Sequence, residues 1–184
     1  MILIPKYQNL VRFGGNIAIA HFGPDGDLIE DRYYSNVVVG IGKEYIARKI
    51  IDSNGTTPAV MSRMAIGGTL ASVSTTPTKP TYSDPEAVTG MTTGGTPALA
   101  ERARVTVTGG NGTVATTAGN DKVVTYTATF PAQTPNVAVA IVEAGIFNAD
   151  AGVANQYMLC VTSFDVVNKA VNDSITITWT VTIQ

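Results

Sequence analysis

The chain has 184 residues and a formal net charge of −2, with 14% charged and 45% hydrophobic residues. This length fits one domain that buries a core without disulfides or metal ions, and the hydrophobic content argues against intrinsic disorder. The 12 Lys and Arg residues against 14 Asp and Glu exclude the clustered basic surface that a nucleic-acid partner requires. The 25 Thr residues favour an all-β protein whose weakly charged surface loses little hydration when another protein covers it.

The single cysteine and the start of the chain indicate the cellular compartment in which the protein is made. Cys160 lies in the apolar run 157–161, which predicts a buried small hydrophobic residue rather than a reactive thiol. The apolar stretch after Met1 ends at Pro5 and Lys6, too soon for a secretory signal, and no run of about 18 apolar residues predicts a membrane span. We therefore expect a protein made in a cytosol, with no membrane partner.

The first predicted elements are a hairpin, a short strand and a helix. Residues 16–22 and 28–34 read as two strands joined by the turn Gly-Pro-Asp-Gly-Asp at 23–27, where glycine supplies the positive φ that a tight turn needs. Residues 36–40 form a short apolar run. Apolar residues then recur at helical spacing, which predicts one amphipathic α-helix over 42–52.

The middle of the chain is rich in Pro, Thr and Gly and has little periodicity. Apart from an extended run at 61–66, no regular element is predicted from 53 to 100, and we assign 67–100 as an extended arm or loop within a single domain, 1–184. Such a segment buries too little apolar area to order itself. Two arrangements remain open: a loop held by its own domain, and an arm that lies on a neighbouring subunit.

The C-terminal half has the clearest strand pattern. Apolar and polar residues alternate over 103–107 and 123–130, two mainly apolar runs cover 136–146 and 156–164, and alternation without exception covers 174–183. The five large apolar residues of the last segment bring on the order of 10 kcal/mol to a core before entropy is subtracted. Strands with one apolar and one threonine-rich face predict an all-β, antiparallel β-sandwich with one short α-helix.

Possible catalytic motifs fail on their chemistry. The passage from Val38 to Glu44 resembles a phosphate-binding loop, but Val37 stands where that motif needs glycine and Glu44 where it needs Ser or Thr. His21, the single histidine, lies near Asp25 and Asp27 without the other members of a triad or metal site, so a structural or an exposed histidine is expected rather than a catalytic one.

Glu143 lies between two apolar stretches and needs a partner. We expect a structural ion pair with Arg102 or Arg104 rather than an acid–base role. No catalytic, cofactor-binding or metal-binding residue is therefore predicted, no cofactor is implied, and the chain is not expected to be an enzyme.

Six short motifs of the chain together carry a family resemblance: NVVVGIGKEYIARKI (36–50), MSRMAIGG (61–68), ERARV (101–105), VVTYTATFP (123–131), EAGIFNAD (143–150) and ITITWTVTI (175–183). They resemble motifs of small β-sandwich structural proteins of bacteriophage virions, found on capsids and in tails. The last strand also resembles the N-terminal domains of tail-collar fibre proteins. The resemblance implies assembly into a virion within the bacterial cytoplasm, with no catalysis.

Within that resemblance we expect a capsid decoration (cement) protein, a homotrimer whose partners are itself and phage capsid or tail proteins. Its arm would add hydrogen bonds to a neighbour and fill pockets there. The subunit-interface residues expected on this arm are Thr75, Pro77, Lys79, Pro80, Tyr82 and Pro85. A tail, neck or baseplate protein is the main alternative. A carbohydrate-binding module is a further one, for which Tyr33 and Tyr34 are the aromatic pair expected to be exposed.

Overall fold

The computed structural model describes residues 12–50, 58–110, 112–117, 119, 121–154 and 156–184. Within these ranges lie one α-helix, α1 (Gly40–Ile50), and two 3-10 helices, Pro85–Ala87 and Thr108–Gly110. The strands of the same ranges are β1 (Phe13–Phe22), β2 (Leu28–Ser35), β3 (Val37–Val38), β4 (Arg63–Leu70), β5 (Ala100–Thr106), β6 (Thr113–Thr116), β7 (Lys122–Phe130), β8 (Val139–Phe147), β9 (Met158–Lys169) and β10 (Ser174–Ile183).

These strands form two antiparallel sheets of five strands each across the described ranges. The first sheet has the order β2-β1-β10-β7-β6, and the second has the order β3-β9-β8-β4-β5. In the first sheet, β1 and β10 pair without interruption from Phe13 opposite Ile183 to Phe22 opposite Ser174. Side chains of both sheets meet in one hydrophobic cluster. The predicted antiparallel β-sandwich with one short helix is therefore confirmed.

The last strand supplies the centre of the core, as its alternation predicts. Ile175, Ile177, Trp179 and Val181 are buried against the second sheet, and the threonines between them are half-exposed on the other side. Trp179 is 0% exposed, so the largest side chain of the strand contributes its whole surface to the core. The first sheet therefore has one buried face and one open face.

The central strands of the second sheet, β4 and β8, are buried on both sides. All nine residues of β8 are buried, which requires cover on the side away from the first sheet. That cover comes from residues 71–99, called the strap below, which places Tyr82, Val88 and Met91 on a cluster containing Ala65 and Phe147. The strap is thus a partial third layer.

The strap is shorter than the predicted loop 67–100. Gly67–Leu70 belongs to β4, and Ala100 begins β5. In the sequence, Gly67 and Gly68 favour a loop. In the structure, Gly68 lies so close to the carbonyl oxygen of Ala140 that a Cβ atom would overlap it. The glycines allow close packing between strands instead of ending the strand.

Helix α1 begins two residues before its predicted start, and the predicted end at Asp52 lies outside the described residues. The glycine passage that resembles a phosphate loop has a packing role. Gly42 is buried against the backbone of Leu159, where a Cβ atom would overlap the carbonyl oxygen. Glu44 forms an i,i+4 ion pair with Arg48 at 2.7 Å.

Candidate functional site

The open side of the first sheet is the most regular surface in the described part of the chain. Three rows of four side chains cross β2, β1, β10 and β7 on the side away from the core. We call these twelve residues the threonine face: Ser35, Asn16, Thr180 and Thr125 in the first row, Tyr33, Ala18, Thr178 and Thr127 in the second, and Asp31, Ala20, Thr176 and Thr129 in the third.

The threonine face has a single formally charged member, Asp31, at its edge. Several of its hydroxyl groups already have partners: Oγ1 of Thr129 lies 2.9 Å from Oγ1 of Thr176, and Thr180 Oγ1 exchanges hydrogen bonds of 3.2 Å with the backbone of Asn16. Covering such groups costs little, because few hydrated charges are stripped and few hydrogen bonds to water are lost. The chemistry of this face suits contact with another protein.

Tyr33 is the large side chain of the threonine face and is 74% exposed. Its neighbour Tyr34 is half-buried and packs against Phe164, with ring centroids 5.7 Å apart. The expected exposed aromatic pair is therefore wrong, because alternation along β2 turns Tyr34 inward. A sugar-binding platform needs several exposed rings on one face. Tyr33 is the one aromatic ring among the twelve residues of the threonine face.

The described edges of both sheets are poor sites for strand addition. In the first sheet, β2 carries three consecutive charges at 30–32, and β6 is four residues long. In the second sheet, β3 is two residues long, and β5 carries charges at 101, 102 and 104. Short or charged edge strands hinder pairing with another chain. Contact through the sheet face is therefore favoured over contact through an edge.

The side chain of the single histidine is buried between the β9–β10 turn and strand β2. His21 is 3% exposed, and its Nε2 lies 2.9 Å from Oδ2 of Asp173 while its Nδ1 lies 3.5 Å from Oε1 of Glu30. Asp173 also accepts the Ala170 N–H at 2.8 Å, and the side chain of Lys169 is buried nearby. The acids that lie next to the buried His21 ring are thus Asp173 and Glu30, and not those of the turn at 23–27.

The remaining reactive groups of the described residues are buried or scattered. Cys160 is 0% exposed, as predicted, and burial raises the pKa of its thiol. Across the described ranges, no group of three or more His, Cys, Asp and Glu side chains is placed to hold a metal ion. No helix in the same ranges is long and apolar enough to cross a membrane.

The middle of the strap, residues 79–92, has polar contacts with its own domain at three places. Lys79 pairs with Asp165 of β9 at 2.8 Å. Glu86 pairs with Lys43 in the first turns of α1, and its backbone packs on Gly40. The third place is Glu143 of β8. In the described structure of the single chain, the strap therefore lies on its own domain.

The six residues expected at a subunit interface have different surroundings. Lys79, Pro80 and Tyr82 line a cleft of about 320 Å³ against β3 and β9. Pro77 is buried, Pro85 is half-buried at the start of a 3-10 helix, and Thr75 is exposed. Pro77 and Tyr82 therefore pack within this chain, so they are not free to fill a neighbour's pocket while the strap lies as it does.

The expected ion pair of Glu143 with Arg102 or Arg104 is wrong. Arg102 donates from Nε to the carbonyl oxygen of Gly68 at 2.9 Å, and Arg104 pairs with Glu101. Glu143 lies beneath the strap, where it accepts hydrogen bonds from the Tyr82 hydroxyl and from the Thr92 N–H, the latter at 3.1 Å. The sequence signal for this site is the glycine opposite Glu143, Gly67, which leaves room for the carboxyl group.

Replacing Gly67 by alanine is expected to destabilise the domain by about 1–3 kcal/mol, the usual cost of overpacking a core. The new Cβ atom would overlap Oε1 of Glu143 and lie 2.8 Å from Cε of Met91. Urea unfolding measures the change. Gly90→Ala is the matched control, because nothing lies within 4 Å of the Cβ position at residue 90. If the two variants have equal free energies of unfolding, the space around Gly67 is not filled by Glu143 and the strap.

Comparisons of the chain with protein-family models, with curated proteins and with solved structures each gave no match.

Proposed function

We propose that this chain is a structural protein of a bacteriophage virion, and that it decorates and stabilises the capsid. The observation that supports this proposal is the threonine face: an ordered, open sheet surface of twelve residues with one charge at its margin. The short motifs that resemble phage structural proteins support the same proposal from the sequence.

The threonine face suits a protein that stabilises an assembly by binding a partner subunit through one sheet surface. A protein that binds assembled subunits and not free ones stabilises the assembly by mass action. Small side chains on a sheet let two surfaces approach closely, and Tyr33 supplies one exposed aromatic anchor of the kind enriched at protein interfaces. The shell protein, or a further copy of this chain in a homotrimer, is the proposed partner of this face.

The contacts of the strap within its own domain change which surface we propose as the main docking surface. Because Pro77 is buried and Tyr82 contacts Glu143, the strap contributes to the domain's own packing before it contributes to any neighbour. We therefore assign the main docking role to the threonine face. Exposed strap residues such as Thr75 are left for secondary contacts.

The proposal is tested by counting copies of this chain in purified particles of the phage that encodes it. Quantitative mass spectrometry against the major capsid protein gives the ratio. Hundreds of copies per particle are expected for a decoration protein. Three, six or twelve copies would place the chain in the neck or tail and overturn the capsid assignment, because those parts have low rotational symmetry. Absence from washed particles would overturn the virion proposal itself.

A further inference from the structure

Glu143 is a fully buried carboxyl group in a setting unlike that of the other carboxyl groups described. It is 0% exposed, and none of the described Lys, Arg or His side chains pairs with it. The groups that donate hydrogen bonds to it, the Tyr82 hydroxyl and the N–H and hydroxyl of Thr92, all belong to the strap. A buried charge without a cation is unstable, because it has lost its hydration and gains no opposite charge in return.

The neighbouring elements do not compensate this charge. From β5, across Gly67, comes Glu101, a second acid whose own partner is Arg104. From β4 comes Gly67 itself, and from β9 the uncharged Ser163 is opposite Glu143. The strap groups in contact with Glu143, those of Tyr82 and Thr92, are neutral. Burial raises the pKa of Glu143, Glu101 acts in the same direction, and the hydrogen bonds from Tyr82 and Thr92 offset the rise only in part.

The strap is held over Glu143 by modest contacts besides these hydrogen bonds. Its ion pairs, Lys79 with Asp165 and Glu86 with Lys43, join side chains that are half or more exposed, and such pairs contribute roughly 0–1 kcal/mol each. Its apolar contacts include those of Tyr82, Val88 and Met91 with the outer side of the second sheet, and Pro77 and Leu99 of the strap are also buried. An opened strap would admit water to Glu143 without removing the contacts between the two sheets.

We propose that Glu143 is a pH-sensitive latch: the neutral carboxyl group keeps the strap closed over the second sheet, and the carboxylate favours an open strap that hydrates the charge. The sign follows from linkage. A group with a higher pKa in the closed state than in the open state stabilises the closed state fully at low pH. That stabilisation is lost as pH rises from the ordinary glutamate pKa, about 4.3, through the raised pKa of the closed state.

Hydrogen exchange of the full chain, measured by mass spectrometry at several pH values and corrected for intrinsic rates, tests the latch. In the wild type, protection of strap amides over 79–92 is expected to fall by up to about tenfold per pH unit within that window, because opening releases one proton. Protection of β10 amides is expected to stay constant. Glu143→Gln should keep the strap protected across the whole range, since an amide cannot ionise.

Two further variants keep the test decisive. Glu86→Gln removes an exposed carboxylate of the strap and is expected to retain the wild-type pH dependence. Tyr82→Phe removes a donor that favours the carboxylate, so the pH dependence should persist and extend to higher pH; a purely structural tyrosine would lower protection equally at every pH. Strap protection that is independent of pH in the wild type, or equally dependent on pH in Glu143→Gln, would overturn the latch.

Discussion

Thr178→Glu is expected to weaken binding of the protein to phage particles by at least about a hundredfold while leaving the domain folded. Thr178 is central in the threonine face, between Ala18 of β1 and Thr127 of β7. A subunit that covers this face would bury the new carboxylate without a cation to pair with it. The desolvation penalty for such a charge is several kcal/mol. A loss of about 2.8 kcal/mol in binding free energy already corresponds to a hundredfold change in Kd. In the free protein the side chain remains in contact with water, so the free energy of unfolding should change by about 1 kcal/mol or less.

Co-sedimentation with particles that lack the protein measures this effect, and circular dichroism checks the fold. Thr106→Glu is the matched control: it introduces the same charge at an exposed strand threonine of the second sheet. The control is expected to bind like the wild type. If Thr178→Glu binds as tightly as Thr106→Glu, the threonine face is not the docking surface.

Asp173→Ala is expected to destabilise the domain by about 3–5 kcal/mol, the usual cost of removing one member of a buried charged pair. Asp173 joins the β9–β10 turn to β1 through His21 at 2.9 Å, and it also accepts the Ala170 N–H. Without it, the buried amine of Lys169 loses its compensating charge, and the His21 ring loses its hydrogen-bond partner. Urea unfolding at neutral pH measures the loss, and Asp165→Ala, which breaks only an exposed pair with Lys79, should cost less than about 1 kcal/mol.

The same carboxylate gives the domain an acid-sensitive component. Burial alone would raise the pKa of Asp173, but the Ala170 N–H, His21 and Lys169 outweigh burial and hold that pKa below its ordinary value. A depressed pKa in the folded state means stability that is present above the ordinary aspartate pKa and lost as pH falls through the folded value. Asp173→Asn should therefore flatten the acid limb of a stability–pH profile; an unchanged acid limb would assign acid sensitivity to other groups.

The sequence predicts the elements that carry their own periodicity. The alternation of β10 and the glycine-containing turn between β1 and β2 each place apolar residues inward without help from the rest of the chain. Strand β6 is not predicted, because Thr113–Thr116 is exposed throughout and has no apolar stripe. It forms by pairing with β7, which a local pattern does not encode.

Of the candidate sites, the threonine face is predictable from the sequence, but the hydrogen-bond partners of Glu143 and His21 are not. The threonine face follows from alternation alone, since every second residue of β7 and β10 must lie on the open side. The partner of Glu143 does not, because Tyr82 comes 61 residues earlier and reaches it only once the strap lies over β8. Likewise Asp173 is 152 residues from His21, so a local pattern does not indicate their hydrogen bond.

A cryo-electron-microscopy reconstruction of the particle tests the docking account most directly. The account predicts that the β2-β1-β10-β7 side of this domain lies against another protein subunit, with Thr178 and Thr127 inside the contact. A reconstruction in which the domain is bound with its threonine face open to solvent, or in which the domain is missing from the particle, would contradict it.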